Sequence, residues 1–371
     1  MDLHNRPETH SRQPLVAILA LCLLASGTAS GDGEHDFLLM PSVDSLNTFD
    51  ESDREVDDSF VRPSLSTLYS YTGGRFRLLG EYLWSSTESE LERLQFGWRA
   101  GQNTMWWLGR FHTTSKFWTT EYHHGQFMQT SITRPSIEEW EDESGPIPSH
   151  ITGLMMEHTQ PGMGNTAWAM GFSFGLGPEF EKDELAPFDV LDPDGGHGLS
   201  FNGRVAFQPD VFSDNQFGMT LGLNDINVDS GSDPQLADLD DIQQLTVGVF
   251  VDWRWTGWRV LGSLVHFEND LRYVGSVLND EFLAGYVQAE FEFSDQWTAF
   301  GRIDHSSAED NSPYLALLPG FISHRHMFGL RWDLVPKQAL TMELADSSSQ
   351  GDDFMHNHFK EVRFQWSAVF P

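Results

Sequence analysis

Long stretches of the chain alternate apolar and polar residues with a period of two. Leu245, Val247, Val249, Val251, Trp253 and Trp255 fill one set of positions, and Thr246, Gly248, Phe250, Asp252 and Arg254 fill the other. Leu283, Gly285, Val287, Ala289, Phe291 and Phe293 likewise oppose Ala284, Tyr286, Gln288, Glu290 and Glu292. The last stretch sets Val362, Phe364, Trp366, Ala368 and Phe370 against Arg363, Gln365 and Ser367. Successive side chains of a strand point to opposite faces, so this period predicts strands with one apolar and one polar face. A soluble β-sandwich also alternates, but its strands usually run about five or six residues, and these segments are about twice as long. Trp and Phe gather at segment ends, at Trp84, Trp98, Trp253, Trp255, Trp297, Trp332 and Phe370, where an outer-membrane barrel carries its aromatic girdles. Charges on the polar face suit a water-filled lumen and penalise a packed core. The pattern therefore predicts an all-β, transmembrane antiparallel β-barrel, with an exported soluble β-protein as the alternative.

Candidate strands fall near 62–72, 75–85, 91–100, 103–111, 151–159, 165–175, 198–208, 215–224, 244–255, 257–268, 281–293, 296–305, 323–334, 338–346 and 359–370. Their connections alternate between short and long, and bacterial barrels place short turns in the periplasm and long loops outside. The short turn at Gly73-Gly74 makes 62–72 a downward strand, so an upward one must precede it. Only Phe37–Val43 is available, interrupted by Pro41, which a closing strand tolerates. The even count is sixteen strands, with fourteen as the alternative. The longest connection, 112–150, becomes the third extracellular loop.

Residues 1–14 are polar and carry Arg6 and Arg12; Leu15 to Ala25 is an apolar run, and small residues follow to Ser30. That order predicts a secretory signal over 1–30, with the barrel over 31–371. The run would span only about 16 Å as a helix, too short to cross a membrane. Beyond residue 31 no apolar run is long enough for a membrane helix. The only cysteine, Cys22, lies in the segment expected to be removed, so disulfides, Cys-ligated zinc and a cysteine nucleophile are excluded from the mature chain. With 55 acidic and 22 basic side chains the net charge is -33, which argues against nucleic acid as a partner.

Much of the acid sits in the predicted outer loops: Asp50 to Asp58, Glu138 to Glu143, Glu179 to Asp194 and Asp225 to Asp241. Such loops are solvated surface that can bridge to lipopolysaccharide through divalent cations. Asp192-Pro193-Asp194-Gly195 hints at calcium, but Gly203 stands where a calcium loop would close with glutamate. His123-His124, His324-x-His326 and His356-x-His358 raise a metal-uptake reading, because an i, i+2 pair on a strand shares one face. An enzymatic barrel of the lipase or protease type is the other alternative, although no G-x-S-x-G marks a nucleophile. No cofactor and no defined metal site is expected.

On the strands before the third loop, Phe76, Leu78, Gly80, Tyr82 and Trp84, and then Leu94, Phe96 and Trp98, form the apolar faces. Arg75, Arg77, Arg93, Arg99 and Arg110 are expected on the lumen side. The acidic run Glu138, Glu139, Glu141, Asp142 and Glu143 of the third loop is expected to fold opposite them, giving a transverse field at a constriction. In the competing arrangement the arginines pair with Glu81, Glu157 and loop carboxylates and hold the loop in place.

With export, alternating strands and a terminal aromatic strand ending at Phe370, the chain resembles a Gram-negative outer-membrane porin over its whole mature length. The block GRFHTTSKFWTTEYHHGQFMQTSITRPSIEEWEDESGPIPSHITG, residues 109–153, is similar to a segment of proteins related to the phosphate-selective porins. The resemblance implies a sixteen-stranded pore with the third loop folded inward, a homotrimer in outer-membrane lipid and lipopolysaccharide, passing small hydrophilic solutes or ions.

Overall fold

The computed structural model of the chain describes residues 33–371, apart from 51–58, 88, 123–124, 192, 194, 230, 232–235, 237, 308–311 and 351–355. The expected signal segment, His123-His124, Asp192, Asp194, Asp233 and the acids of 51–58 lie outside the described residues, as does the side chain of His356. The first strands are β1 (Glu34–Asp50), β2 (Ser59–Gly73), β3 (Phe76–Ser85), β4 (Ser89–Arg99), β5 (Thr104–His112), β6 (His150–Pro161) and β7 (Ala167–Leu176). After a short hairpin, β8 (Glu179–Glu181) and β9 (Glu184–Ala186), come β10 (Leu199–Gln208), β11 (Gln216–Asp229), β12 (Leu239–Trp255), β13 (Trp258–Tyr273) and β14 (Ser276–Ser294). The series ends with β15 (Trp297–Ser306), β16 (Ile322–Val335), β17 (Gln338–Gln350) and β18 (His356–Ala368).

Sixteen of these strands pair antiparallel with their neighbours, and β1 pairs with both β2 and β18, so the sheet closes. A barrel of this kind leaves no unpaired edge. The closing strand is much longer than the expected 37–43, and Pro41 sits within it opposite Leu65. Leu39 and Phe370 exchange backbone hydrogen bonds of 2.8 Å, so the terminal aromatic strand seals the barrel. The β8–β9 hairpin stands outside this count; β8 lies parallel against β11 above the long-loop end.

The alternation assigns the faces as expected. Val249, Leu264, Val287, Ile303 and Phe328 are exposed on the outside, whereas their neighbours Thr246, Phe250, Gln288 and Arg302 are buried. Near the short turns Trp258 packs on Phe291, Phe293 on Trp297, and Trp297 stacks on Trp332 with ring planes 3° apart. An apolar band closed by an aromatic girdle is the surface of a membrane-spanning barrel.

The interior is not a uniform tube. Loops fold into it and share one apolar core with the inner faces of β12, β13 and β14, where Phe117, Trp118 and Ile137 meet Phe250, Phe267 and Phe282. Leu236, Tyr314 and Leu318 from other long loops complete that core. Full burial of each such side chain is worth about 1.5–3 kcal/mol, which makes this wall the anchor for whatever the loops carry.

Candidate functional site

Residues 113–149 run from the end of β5 into the barrel. Thr113 N–H donates to the Ser149 carbonyl at 2.8 Å and closes the neck of the loop. Ser115 then bonds Asn202 on the inner face of β10 at 2.8 Å. Helix α1 (Phe117–Tyr122) follows, a six-residue turn with its aromatic residues buried. Phe117 stacks on Phe250 at 4.9 Å and Trp118 sits edge-on to Tyr286 at 5.9 Å. Fully buried Lys116 donates to the carbonyls of Glu139 and Ile147 and to Ser149, tying the outgoing and returning halves together. A buried ammonium needs such partners, and burial still pulls its pKa down to about 8.

The returning half is held by the opposite wall through its backbone. Arg302 on β15 donates to the carbonyls of Thr133 and Arg134, at 2.8 and 2.7 Å. Arg325 on β16 reaches the Arg134 carbonyl at 3.0 Å, and Arg331 reaches those of Phe127 and Gln129 at 2.8 and 2.6 Å. Carboxylates take the loop's N–H groups: Glu343 accepts from Ile132 and Thr133, and Asp304 from Ser136 at 3.0 Å. A loop inside a barrel would otherwise carry unsatisfied backbone groups. Here charged strand residues supply the partners.

Between this half and the wall of β1, β2, β3, β16 and β18 lies a cavity of about 320 Å³. Arg62, Arg325 and Arg363 reach it from the wall, with Asp44 and Glu361 beside them; Glu139, Glu143, Trp140 and Arg134 reach it from the loop. Glu139 stands 3.7 Å from Arg325, and Arg363 bonds Glu361 at 2.9 Å. Burial and the charge of Glu143 push the Glu139 carboxyl up to about 8, against the pull of Arg325 and Arg134. Burial also lifts Glu138 to about 7, although Lys116 opposes it. Burial alone would raise Glu141 too, but His150 at 2.6 Å and backbone N–H donors hold it below the ordinary carboxylate value.

The expected arginines do not line this cavity. Arg75 is exposed at the β2–β3 turn, and Arg77 and Arg99 are half-buried towards the same end of β3 and β4. Arg93 is buried with its Nε 2.6 Å from Glu81. Arg110 is buried too, donating to the Glu90 carboxylate and to the carbonyls of Glu92 and Phe188. Of the acidic run, Glu138 and Glu141 are buried in the loop, Glu139 and Glu143 line the cavity, and Asp142 is exposed. The structure thus brings Glu139 and Glu143 to the cavity with Arg325 and Arg363 of β16 and β18, and Glu141 to His150 at the root of β6. Arg325 and Arg331 were findable by the same alternation, because Ser323, Arg325, Met327, Gly329 and Arg331 share the inner parity of 323–334.

Alternation fails at the root of the loop. Leu108 and Leu154 are paired and exposed, so strict parity would turn Arg110, His112 and His150 outward, yet all three are buried. Gly109, Gly153 and Gly175 form a ladder across β5, β6 and β7 just there. Gly109 has φ +132°, and a Cβ at any of the three would collide with a neighbouring strand's carbonyl. Only glycine admits that approach. Beyond the ladder, His112 and His150 pack against Trp140 of the loop.

No protein-family model matches the chain, and the curated proteins give no significant match. Solved structures do. The outer membrane channel DcaP of Acinetobacter baumannii aligns with TM-score 0.59 at 11% identity, over 92% of this chain and 99% of that one. OmpT, an outer membrane protein of Vibrio cholerae, gives 0.57 at 9%, over 93% and 100%; Pseudomonas putida OprB gives 0.56 at 9%, over 96% and 97%. At these identities the likeness establishes the fold.

Proposed function

We propose that the protein is an outer-membrane porin of a Gram-negative bacterium, a water-filled channel for passive diffusion of small hydrophilic solutes or ions. The cavity between the inward loop and the β16–β18–β2 wall carries the reading, because it sets Glu139 and Glu143 against Arg62, Arg325 and Arg363. Charges of both signs facing each other across a narrow aqueous gap create a transverse field that orients dipolar solutes and sorts ions. A phosphate-selective channel would need cations free to bind an anion. Here Arg93, Arg302 and Arg363 each face a carboxylate within 3 Å, which favours a weakly selective pore. Arg77 and Arg99 add positive charge on the inner face nearer the short turns.

The assembly reading is a homotrimer, supported by the porin resemblance. Outward His305, stacked on His324, and exposed His326 and Lys360 near the long-loop end favour contact with the anionic headgroups of lipopolysaccharide. Planar-bilayer conductance of the refolded protein, with the reversal potential in a salt gradient, tests the channel. Discrete conductance steps and sugar-permeable liposomes are expected. A protein that inserts and neither conducts nor passes sugars would refute it.

A further inference from the structure

The glycine ladder at the root of the inward loop brings together three side chains that the channel reading does not use. Glu92 on β4, His112 on β5 and His150 on β6 are separated by 20 and 38 residues in the chain, yet one potential ligand atom from each lies within 4.8 Å of the others. All three are buried. His112 and His150 are a register pair across two strands, their rings 5.0 Å apart, and His150 Nε2 is 3.0 Å from Glu92 Oε2. We propose that Glu92, His112 and His150 form a binding site for Zn²⁺ at the root of the inward loop.

The donor set selects the metal. Two imidazoles and one carboxylate suit zinc and its transition-metal neighbours, whereas calcium and magnesium take oxygen ligands. Tetrahedral zinc with bonds of about 2.0–2.1 Å holds its ligands about 3.3 Å apart, so small side-chain movements close the site. Three protein donors leave a fourth position for water.

The surroundings match a metal site as well as the donors do. His150 turns its other nitrogen, Nδ1, to Glu141 at 2.6 Å, and Glu141 also accepts from the N–H groups of Ser149 and His150. A carboxylate fixing the far nitrogen of a ligating histidine orients the ring and raises its basicity. Around the pair stand the carboxylates of Glu90, Glu92 and Glu141 and the guanidinium of Arg110. Trp140 stacks on His150 with planes 14° apart and also lines the charged cavity, so it forms the cover between the ligands and the water path. Zinc there would staple β4, β5 and β6 together and, through Glu141, fix where the loop leaves the wall.

Refolded, chelator-stripped protein in detergent, titrated with Zn²⁺ against a chromophoric chelator, tests this without measuring conductance. The unaltered chain is expected to take one tight equivalent, which Glu92→Gln and His112→Gln each abolish. Glu141→Gln, which spares the three donors, should weaken binding about 10–100-fold. A His305→Asn/His324→Asn double variant, altering the outward histidine pair, should retain it. Co²⁺ in the unaltered chain should give the visible absorption of a low-coordinate imidazole site, absent from Glu92→Gln. Heat-modifiable gel mobility confirms that each variant folds. No uptake by the unaltered chain, or uptake unchanged in both Glu92→Gln and Glu141→Gln, overturns the proposal; the channel reading is untouched by either result.

Discussion

Two inner walls of the barrel obey one alternation and end up opposite in character. On β12–β14 the inward positions include Phe250, Leu261, Val265, Phe267 and Phe282, and loop aromatics bury themselves against them. On β15–β18 the inward positions include Arg302, Asp304, Arg325, Arg331, Glu343, Glu361 and Arg363, and the loop meets them through its backbone. The first wall gains free energy from removing apolar area from water. On the second, desolvating charge is costly and offset only by hydrogen bonds and ion pairs, so water stays beside it in the charged cavity. The loop's position follows: it is glued on one side and held at arm's length on the other.

The sharpest way to break this contrast is to remove the glue. Trp118→Ala empties a fully buried site on the apolar side, and truncations of this kind cost about 3–5 kcal/mol. The loop should detach, single-channel conductance should rise, and a protease should cut within 113–149. Arg325→Gln on the charged side should leave the loop docked. Equal protease resistance of Trp118→Ala and the unaltered protein would mean that the apolar wall does not anchor the loop.

The inside–outside assignment beneath the comparison has its own test. Val249 is exposed on the outer face and Thr246 is buried on the inner one. An arginine at the bilayer midplane costs about 2–4 kcal/mol, whereas a charge near the lumen stays hydrated. Val249→Arg should therefore lower the yield of folded barrel in liposomes well below that of Thr246→Arg. Matching yields would show that the inside–outside assignment is wrong.

The outer face was legible in the sequence because lipid demands apolar residues at every second position over whole strands. From that pattern the barrel strands and the count of sixteen followed, while the inward loop was an expectation from the porin resemblance. Strand lengths were not, since β12–β14 extend past the membrane into sequence whose faces are both partly polar, such as Asp240-Asp241 and Asn269-Asp270. The charged wall was half legible. Parity put Arg363 on the polar face, but which arginines meet Glu139 depends on where the loop's apolar residues dock, a contact between segments far apart in the chain. The Glu92, His112 and His150 cluster was hidden for a further reason. It depends on three glycines in register at Gly109 and on a bulge at Glu92 in the β3–β4 pairing, and register between strands cannot be read from one strand's period.

On the charged wall, neutralisation should move ion preference in opposite directions. Arg325→Gln with Arg363→Gln should shift the reversal potential toward cations, and Glu139→Gln with Glu143→Gln toward anions. A field change of about 1.4 kcal/mol would alter a permeability ratio tenfold, and screening should shrink both shifts as salt rises from about 0.1 M to 1 M. Arg77→Gln with Arg93→Gln should act more weakly, because Arg93 is already neutralised by Glu81. If that pair has the larger effect, the selective charges lie on β3–β4 and the cavity is not the filter.

The smallest effect expected is on pH. Burial raises Glu139 to about 8 and Glu138 to about 7, so both are largely protonated near pH 6 and ionised near pH 9. A carboxyl whose folded pKa is raised contributes stability below its ordinary value near 4.5, and loses it as pH rises through the folded value. Loop docking should thus be firmest near pH 4.5 and weaken progressively up to about pH 8, while the docked carboxyls themselves ionise between about pH 7 and 9. Over the same window Glu139 adds negative charge to the cavity, so cation preference should grow with pH. Lys116, pulled down to about 8 by its burial, gives up its positive charge in that range and acts in the same direction. Replacing Glu139 with glutamine removes the charge that faces the cavity and should flatten most of the pH dependence of the reversal potential. A reversal potential that stays constant from pH 6 to pH 9 in the unaltered protein would mean that Glu139 is ionised throughout by its contact with Arg325, and that the charged wall is closed to this form of control.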